Sequence, residues 1–263
     1  MRGLHPVLAA SADAARSALA EAQGRFSRAE LEASLGDGAD GTPTMRIDAI
    51  VEEAILHVAE AHGVNVLSEE VGFVDRGSAI TLVVDPLDGS ANAAADVPLS
   101  CFSAAIAVDG ELTQASTMWL ETGRVWAGTA DGDVSVGGPW RTTGRTVLAG
   151  AAVSLLRPHP QTRAAWWAVT ERAGRVRILS TSALEAMLVL QGSTDAFADA
   201  ASDTHRLVDL VAAVVLLPLA GGAVLDLHDR PIVFDTDLTK RWSGIVAATP
   251  ALAHEMAAVL RNP

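Results

Sequence analysis

The sequence predicts an α/β protein assembled from two unlike halves, and three observations carry this. Between residues 64 and 129, short apolar runs alternate with turn signals such as Asp109-Gly110 and Glu121-Thr122-Gly123, the pattern of a largely antiparallel sheet. The segment Arg46 to Ala61 just before them has apolar residues at helical spacing and good helix formers. Past about Gly144, helical and strand patterns alternate in the α/β manner. With 263 residues, 49% of them apolar, the chain can bury a sizeable core and is not a disordered protein.

The elements follow in order. Met1 to Ala22 carries Asp13, Arg16 and Glu21 inside its apolar pattern, which predicts an amphipathic helix and breaks the apolar centre that a signal peptide needs. Gly36 to Thr44 reads as a loop rich in Gly, Asp, Thr and Pro. Val64 to Ser68 is a short strand ending at Glu69-Glu70, and Ile80 to Val84 is a buried strand. Cys101 to Val108, Gln114 to Trp119 and Val125 to Thr129 are strands, and Asp131 to Gly138 a hairpin. In the second half, Val147 to Ala152 is apolar, Gln161 to Ala173 and Ser182 to Gln191 are helical, and Val176 to Leu179 and Ala196 to Ala198 are strands. Val208 to Leu217 is a helix, Ala223 to Leu227 and Ile245 to Ala248 are strands, and Pro250 opens a last helix at its first turn. Residues 1–143 and 144–263 form the two halves of one rigid unit, since no repeat, low-complexity tract or flexible linker separates them.

Composition narrows the function classes. A net charge of −13 argues against nucleic acid as a partner, because phosphate neutralisation needs basic surface. The most membrane-like run, Leu210 to Leu225, is short for a span and is interrupted by Pro218 and Gly221-Gly222, so no membrane association is expected. Cys101 is the only cysteine, which rules out an intrachain disulfide, and it reads as a small buried residue. A soluble cytoplasmic protein is expected.

The most informative stretch is Val83-Val84-Asp85-Pro86-Leu87-Asp88-Gly89-Ser90-Ala91-Asn92. A buried strand delivers two carboxylates that straddle a proline. Pro86 fixes its own backbone and is expected to stop the strand, turning Asp85 and Asp88 toward one point. Gly89 lets the backbone approach a ligand, and Ser90 suits a helix N-cap with free N–H groups beyond it. Carboxylates beside free N–H donors suit a divalent cation with a phosphate. Three further acidic positions complete the pattern: Glu69-Glu70 at a strand end, Asp209 opening an apolar helix, and Asp48 on the helix after the Gly-rich loop. Each alone has an ordinary structural explanation, Asp209 as a charge in a first helical turn and Asp48 with Glu52 as a solvated helix face. Together they fit a Mg²⁺ site of two or more ions, since Mg²⁺ takes hard oxygen ligands and keeps several waters. No histidine or cysteine cluster has zinc spacing.

The motifs Ser68-Glu69-Glu70, Asp85-Pro86-Leu87-Asp88-Gly89-Ser90, and Asp209 followed by Ala212-Ala213 and Gly221-Gly222 resemble the metal-dependent, lithium-sensitive sugar phosphatase superfamily of inositol monophosphatases and fructose-1,6-bisphosphatases. Gly38 to Thr44 with Arg46-Ile47-Asp48, Glu69-Glu70-Val71-Gly72 with Val74-Asp75, and Asp195 to Asp199 leading to Arg206-Leu207-Val208-Asp209 look most like the archaeal enzymes that combine both activities. The likeness runs from about Gly36 to Ala248. It implies a layered αβαβα sandwich, a homodimer, and two or three Mg²⁺ ions per site. It implies that Glu69, Asp85, the Leu87 carbonyl, Asp88 and Asp209 ligate metal. Glu69 and the Ser90 hydroxyl would hold the attacking water, with Asp48 and Asp40 at a third, weaker metal position. Gly89, Ser90, Ala91, Asn92, Ser180, Asp199 and Arg206 would face the substrate, Asp199 bonding sugar or cyclitol hydroxyls and Arg206 meeting a second phosphate.

The chain departs from the family pattern around the substrate. Ala93-Ala94-Ala95 stands where an aromatic residue is common, Ser180-Thr181-Ser182 replaces a Gly/Ala-rich run, Val208 replaces the usual Trp, and there is no Tyr. The expected function is a Mg²⁺-dependent phosphomonoesterase acting on a small sugar or cyclitol phosphate. The alternatives are a 3′-phosphoadenosine 5′-phosphate or histidinol-phosphate phosphatase, a specialised biosynthetic sugar-phosphate phosphatase, and, ranked last, a non-catalytic relative.

Overall fold

The structure, a computed structural model, describes residues 3–263. Helix α1 (Pro6–Arg25) starts where Pro6 occupies the first turn and the His5 imidazole accepts the Val7 N–H at 3.3 Å. The expected N-terminal helix is therefore present but begins later, and its first positions, Met1 and Arg2, lie outside the described residues. A short α2 (Arg28–Leu31) leads to β1 (Ser34–Asp37) and β2 (Pro43–Met45), followed by α3 (Arg46–Ala61). The stretch expected to be only a loop thus closes into a two-stranded antiparallel ribbon.

A seven-stranded sheet comes next, from β3 (Asn65–Ser68), β4 (Gly72–Val74), β5 (Ile80–Asp88), β6 (Cys101–Val108), β7 (Glu111–Trp119), β8 (Arg124–Thr129) and β9 (Ser135–Val136), in spatial order β4-β3-β5-β6-β7-β8-β9. Only β3 and β5 pair in parallel; the other neighbours are antiparallel. A one-turn helix α4 (Ser90–Ala94) follows β5. The second sheet has order β11-β10-β12-β14-β13, from β10 (Ala152–Leu155), β11 (Arg175–Arg177), β12 (Ala196–Ala198), β13 (Ala223–Asp226) and β14 (Gly244–Ala247). Strand β11 stops before Ile178 because Ser180 takes a positive φ of 60° and turns the chain into the next helix. Helices α5 (Arg163–Arg172), α6 (Ser182–Leu190), α7 (Leu207–Leu216) and α8 (Pro250–Arg261) complete the chain.

These elements stack as five layers. Helices α1 and α3 bury the stripes Val7-Leu8-Ala12-Ala15-Leu19 and Ile47-Val51-Ile55-Ala59 against one face of the large sheet. Helices α6 and α7 fill the space between the two sheets, and α5 and α8 cover the outer face of the small one. This is the αβαβα sandwich. The layering also explains the run from Leu210: α7 is apolar on all sides because both sheets press on it. No helix among the described residues is long and apolar enough to cross a membrane.

Candidate active site

The parallel pair β3/β5 sets the site. Ser68 is in register with Val84, so Glu69, just past the end of β3, and Asp85 on β5 come side by side at the carboxyl end of the pair. Strand β5 does not stop at Pro86 as expected. It continues to Asp88 through an irregularity in which Pro86 and Leu87 have no register partner on β6. A proline lacks the N–H that a ladder needs, so the strand bulges instead of ending. The bulge leaves Leu87 out of the sheet's pairing and keeps Asp85 and Asp88 near enough for the charge of Asp88 to act on Asp85.

Asp88 is gripped by the first turn of α6. Its Oδ2 accepts the Thr181 hydroxyl at 2.7 Å and the Ala183 N–H at 2.8 Å, and its Oδ1 accepts the Ser182 N–H at 3.1 Å. The N-cap of α4 is Gly89 and not Ser90, which becomes the first helical residue. Gly89 has φ of 83°, and a Cβ there would lie 2.7 Å from the Leu99 carbonyl oxygen. Only glycine fits this turn.

Two helices aim their first turns at the same place from opposite faces of the sheet. Asp48 and Asp209 are each the third residue of their helix and cap it, Asp48 Oδ2 accepting the Met45 N–H at 3.1 Å and Asp209 Oδ2 the Arg206 N–H at 2.6 Å. Asp40 arrives from the β1–β2 turn, where it accepts the Thr42 N–H and hydroxyl at 2.8 Å.

Crowding these buried carboxylates shifts their proton affinities. Burial pushes Glu69 well up; Arg206 opposes this, while Asp209, Glu70 and Asp48 add to it. Asp85 is pushed well up by burial and then by Glu69, Asp88 and Asp209. Burial and Asp209 raise Asp88 against the three donors of α6. Burial raises Asp48 to about 6, with the Met45 N–H, the Ser90 hydroxyl and Arg206 pulling the other way. The Ser90 hydroxyl forms no regular hydrogen bond with Asp48, whose Oδ1 is buried without a partner.

The cavity beside the acids has a volume of about 360 Å³ and is bordered by Asp88, Asp209, Ser180, Ser182, Arg157 and His159. A larger hollow of about 510 Å³ between α1 and α3 touches none of the acid cluster. The far wall corrects the reading of Asp199 and ties two further residues, Asn92 and Arg206, into the chain. The Asn92 Nδ2 donates to the Leu99 and Leu179 carbonyls at 2.9 and 2.8 Å, clamping the Gly89 turn to the opposite wall. Asp199 is fully buried and accepts from Ser202, Thr204 and Ser243, so it builds the loop after β12 and does not face the cavity. Arg206 borders the cavity, and each of its three guanidinium nitrogens bonds a carboxylate of the acid cluster, so most of its donors are turned to the acids. Ser180 does line the cavity; Ala91 is exposed at the start of α4.

Several residues around the site were given no role by the sequence. Glu70 bonds the Thr44 hydroxyl and is raised to about 7 by burial. Glu52 accepts the Val71 N–H at 3.1 Å and so holds the acid-bearing turn from behind. Glu185, raised to about 8 by burial, faces the Leu179–Thr181 turn. A charged residue inside the apolar pattern of α6 was the available signal for Glu185. Arg157 and His159 sit in a loop, where spacing carries no information. Cys101 is buried with Sγ 3.6 Å from Asp88 Oδ2, as a small core residue.

The donor set fits a hard divalent cation: oxygen ligands only, several of them disfavoured as free anions by their neighbours. Among the described residues no three acidic, histidine or cysteine side chains are drawn in tightly enough to cage an ion as they stand; a guanidinium cation, Arg206, stands among Asp40, Glu69 and Asp209.

The chain is similar to known proteins along most of its length. A "Fructose-1,6-bisphosphatase/inositol-1-monophosphatase" of Thermococcus kodakarensis is 30% identical over 241 residues, covering 87% of each chain. One of the same description from Methanothermobacter thermautotrophicus is 31% identical over 235 residues, covering 83% of each. A bifunctional NADP phosphatase/NAD kinase of Methanococcus maripaludis is 28% identical over 86% of this chain and 44% of its own. In fold, the crystal structure of an inositol monophosphatase–fructose 1,6-bisphosphatase gene product superposes with a TM-score of 0.82 at 24% identity, covering 94% of this chain and 96% of that one. The extragenic suppressor protein of Bartonella henselae gives 0.81 at 21% identity, covering 98% of each. The sequence model of the inositol monophosphatase family matches residues 3–262, and the chain belongs to that family.

Proposed function

We propose that this chain is a Mg²⁺-dependent phosphomonoesterase that hydrolyses a small sugar or cyclitol phosphate of the inositol 1-phosphate or fructose 1,6-bisphosphate type. The observation that carries the reading is the convergence of Glu69 and Asp85 from adjacent parallel strands, Asp88 from the bulge and Asp209 from α7, beside the Gly89–Ser90 turn. Glu69, Asp85, the Leu87 carbonyl, Asp88 and Asp209 are the groups that would hold the ions. Bound there, divalent ions supply an acidified water and offset the charge of the phosphoryl oxygens and the leaving alkoxide.

The chain's own residues do the rest. The backbone N–H groups of the turn from Gly89 to Ala91 receive the phosphate, and the close fit of Gly89 against Leu99 keeps them fixed. Glu69 and the Ser90 hydroxyl orient the water, and Asp48 Oδ1, buried and unpartnered, accepts its proton. With Asp48 at about 6, activity should fall as the pH drops below that value. Phosphoryl transfer asks little more of a protein than positioning and charge stabilisation, and no nucleophilic side chain is needed. Family resemblance supports a homodimer, and the single buried Cys101 is compatible with the cytoplasm.

The test is phosphate release with Mg²⁺ from inositol 1-phosphate, fructose 1,6-bisphosphate, histidinol phosphate, 3′-phosphoadenosine 5′-phosphate and NADP⁺. Release from the first two supports the reading. Turnover confined to the nucleotides moves the chain to the nucleotide phosphatases, and no release from any of the five ends the proposal.

A further inference from the structure

The acid cluster already contains a cation. Arg206 Nη1 is 2.8 Å from Asp40 Oδ2 and also contacts Glu69 Oε2. Its Nη2 is 3.1 Å from Asp209 Oδ1, and its Nε is 3.3 Å from Asp209 Oδ2. The side chain is only 21% exposed. It is held from both ends: its own backbone N–H bonds Asp209, and Asp40 is fixed independently by Thr42 and by Arg241, whose Nη2 donates to the Asp40 carbonyl at 2.8 Å. Asp85 and Asp88 make no hydrogen bond to it, and the bulge that carries them lies outside this contact.

We infer that Arg206 permanently fills the cation position bounded by Asp40, Glu69 and Asp209, so that the site takes two divalent ions and not three. The inference rests on the metal-dependent reading above. Its physical basis is competition. An ion that bridges Asp40, Glu69 and Asp209 must displace the guanidinium from all three carboxylates, and one that takes Asp40 alone must still break the Nη1 bond in a largely buried place. A tethered cation is present at the site at all ion concentrations, whereas a weakly held third ion is not. Asp40 is therefore a partner of Arg206 and not a metal ligand. Arg206 has a second consequence for the ligands it shares. Glu69 offers one oxygen and Asp209 both of its oxygens to the guanidinium, so their freedom to rotate toward an ion is restricted before the ion arrives.

Counting bound Mn²⁺ by equilibrium dialysis, with the magnetic resonance signal of free Mn²⁺ as a second measure, tests this on the folded full chain. Two ions per wild-type chain are expected. Arg206→Gln, with an unfolding transition as sharp as wild type, is expected to bind a third ion, and Arg206→Lys to return to two. Three ions on the wild-type chain, or two on folded Arg206→Gln, would overturn the inference. Should Arg206→Gln not fold, Asp40→Asn decides: two ions retained support the assignment, and an ion lost refutes it. Wild-type protein that binds no Mn²⁺ overturns the metal reading itself, an outcome distinct from a count of three.

Discussion

The two sides of the cavity are built on opposite electrostatic plans. On the strand side, Glu69, Asp85 and Asp88 are buried together; Glu69 and Asp88 raise the proton affinity of Asp85, and Asp209 that of all three. On the far wall, Asn92, Asp199 and Arg206 are each held by two or more bonds to the chain. The strand side holds unfavourable like-charge contacts that a cation relieves; the wall holds satisfied contacts that give it shape. Catalytic demand explains the first and rigidity the second, because a site that binds metal must be incomplete without it while a specificity wall must not move.

Asp85→Asn should break the comparison most visibly. It is expected to lower phosphate release by about 10³-fold, equivalent to about 4 kcal/mol of transition-state stabilisation. The metal-free protein should nonetheless melt at a higher temperature, since a repelled buried carboxylate becomes neutral while its Oδ1 still accepts the Leu87 N–H. A variant that is both active and less stable would contradict the picture.

Asp199→Ala probes the wall. Leaving the donors of Ser202, Thr204 and Ser243 unpaired should cost about 2–3 kcal/mol in denaturant unfolding. The folded fraction should keep its KM within a few-fold. A large rise in KM at unchanged stability would restore Asp199 as a group that binds substrate hydroxyls.

The smallest effect is on the pH dependence of stability. Asp48, Glu70 and Glu185 have folded-state values raised to about 6, 7 and 8, above those of the unfolded chain, so folding takes up protons between about pH 4 and 8. The unfolding midpoint of chelator-treated protein should therefore rise as the pH is lowered from 8 toward 6, and added Mg²⁺ should flatten that slope. A metal-free midpoint that falls over the same range would show that burial does not hold these three acids in their protonated form.

Much of the strand side was legible in the sequence because its chemistry is contiguous. Asp85 to Ser90 lie within one turn of chain, and Glu69 and Asp209 are marked by the apolar runs that end or begin at them. Even here the local detail differed: Pro86 bulges β5 where a stop was expected, and Gly89 takes the N-cap expected of Ser90. Both differences come from β6, which continues to pair on either side of the kink. The wall was not legible. Arg206 and Asp199 are polar residues near a site in either reading, and nothing in their spacing shows whether they turn toward the cavity or into the loop.

By itself the sequence determined the alternation of elements, the acids and the phosphate turn, because periodicity and short-range backbone chemistry act over a few residues. Tertiary structure alone decided that β3 and β5 run parallel with Glu69 beside Asp85, that α3 and α7 point their first turns at one spot, and that Arg206 lies between Asp40, Glu69 and Asp209. Those are contacts between residues up to 166 positions apart, set by how five layers pack, and no local pattern encodes which polar group a buried charge will find.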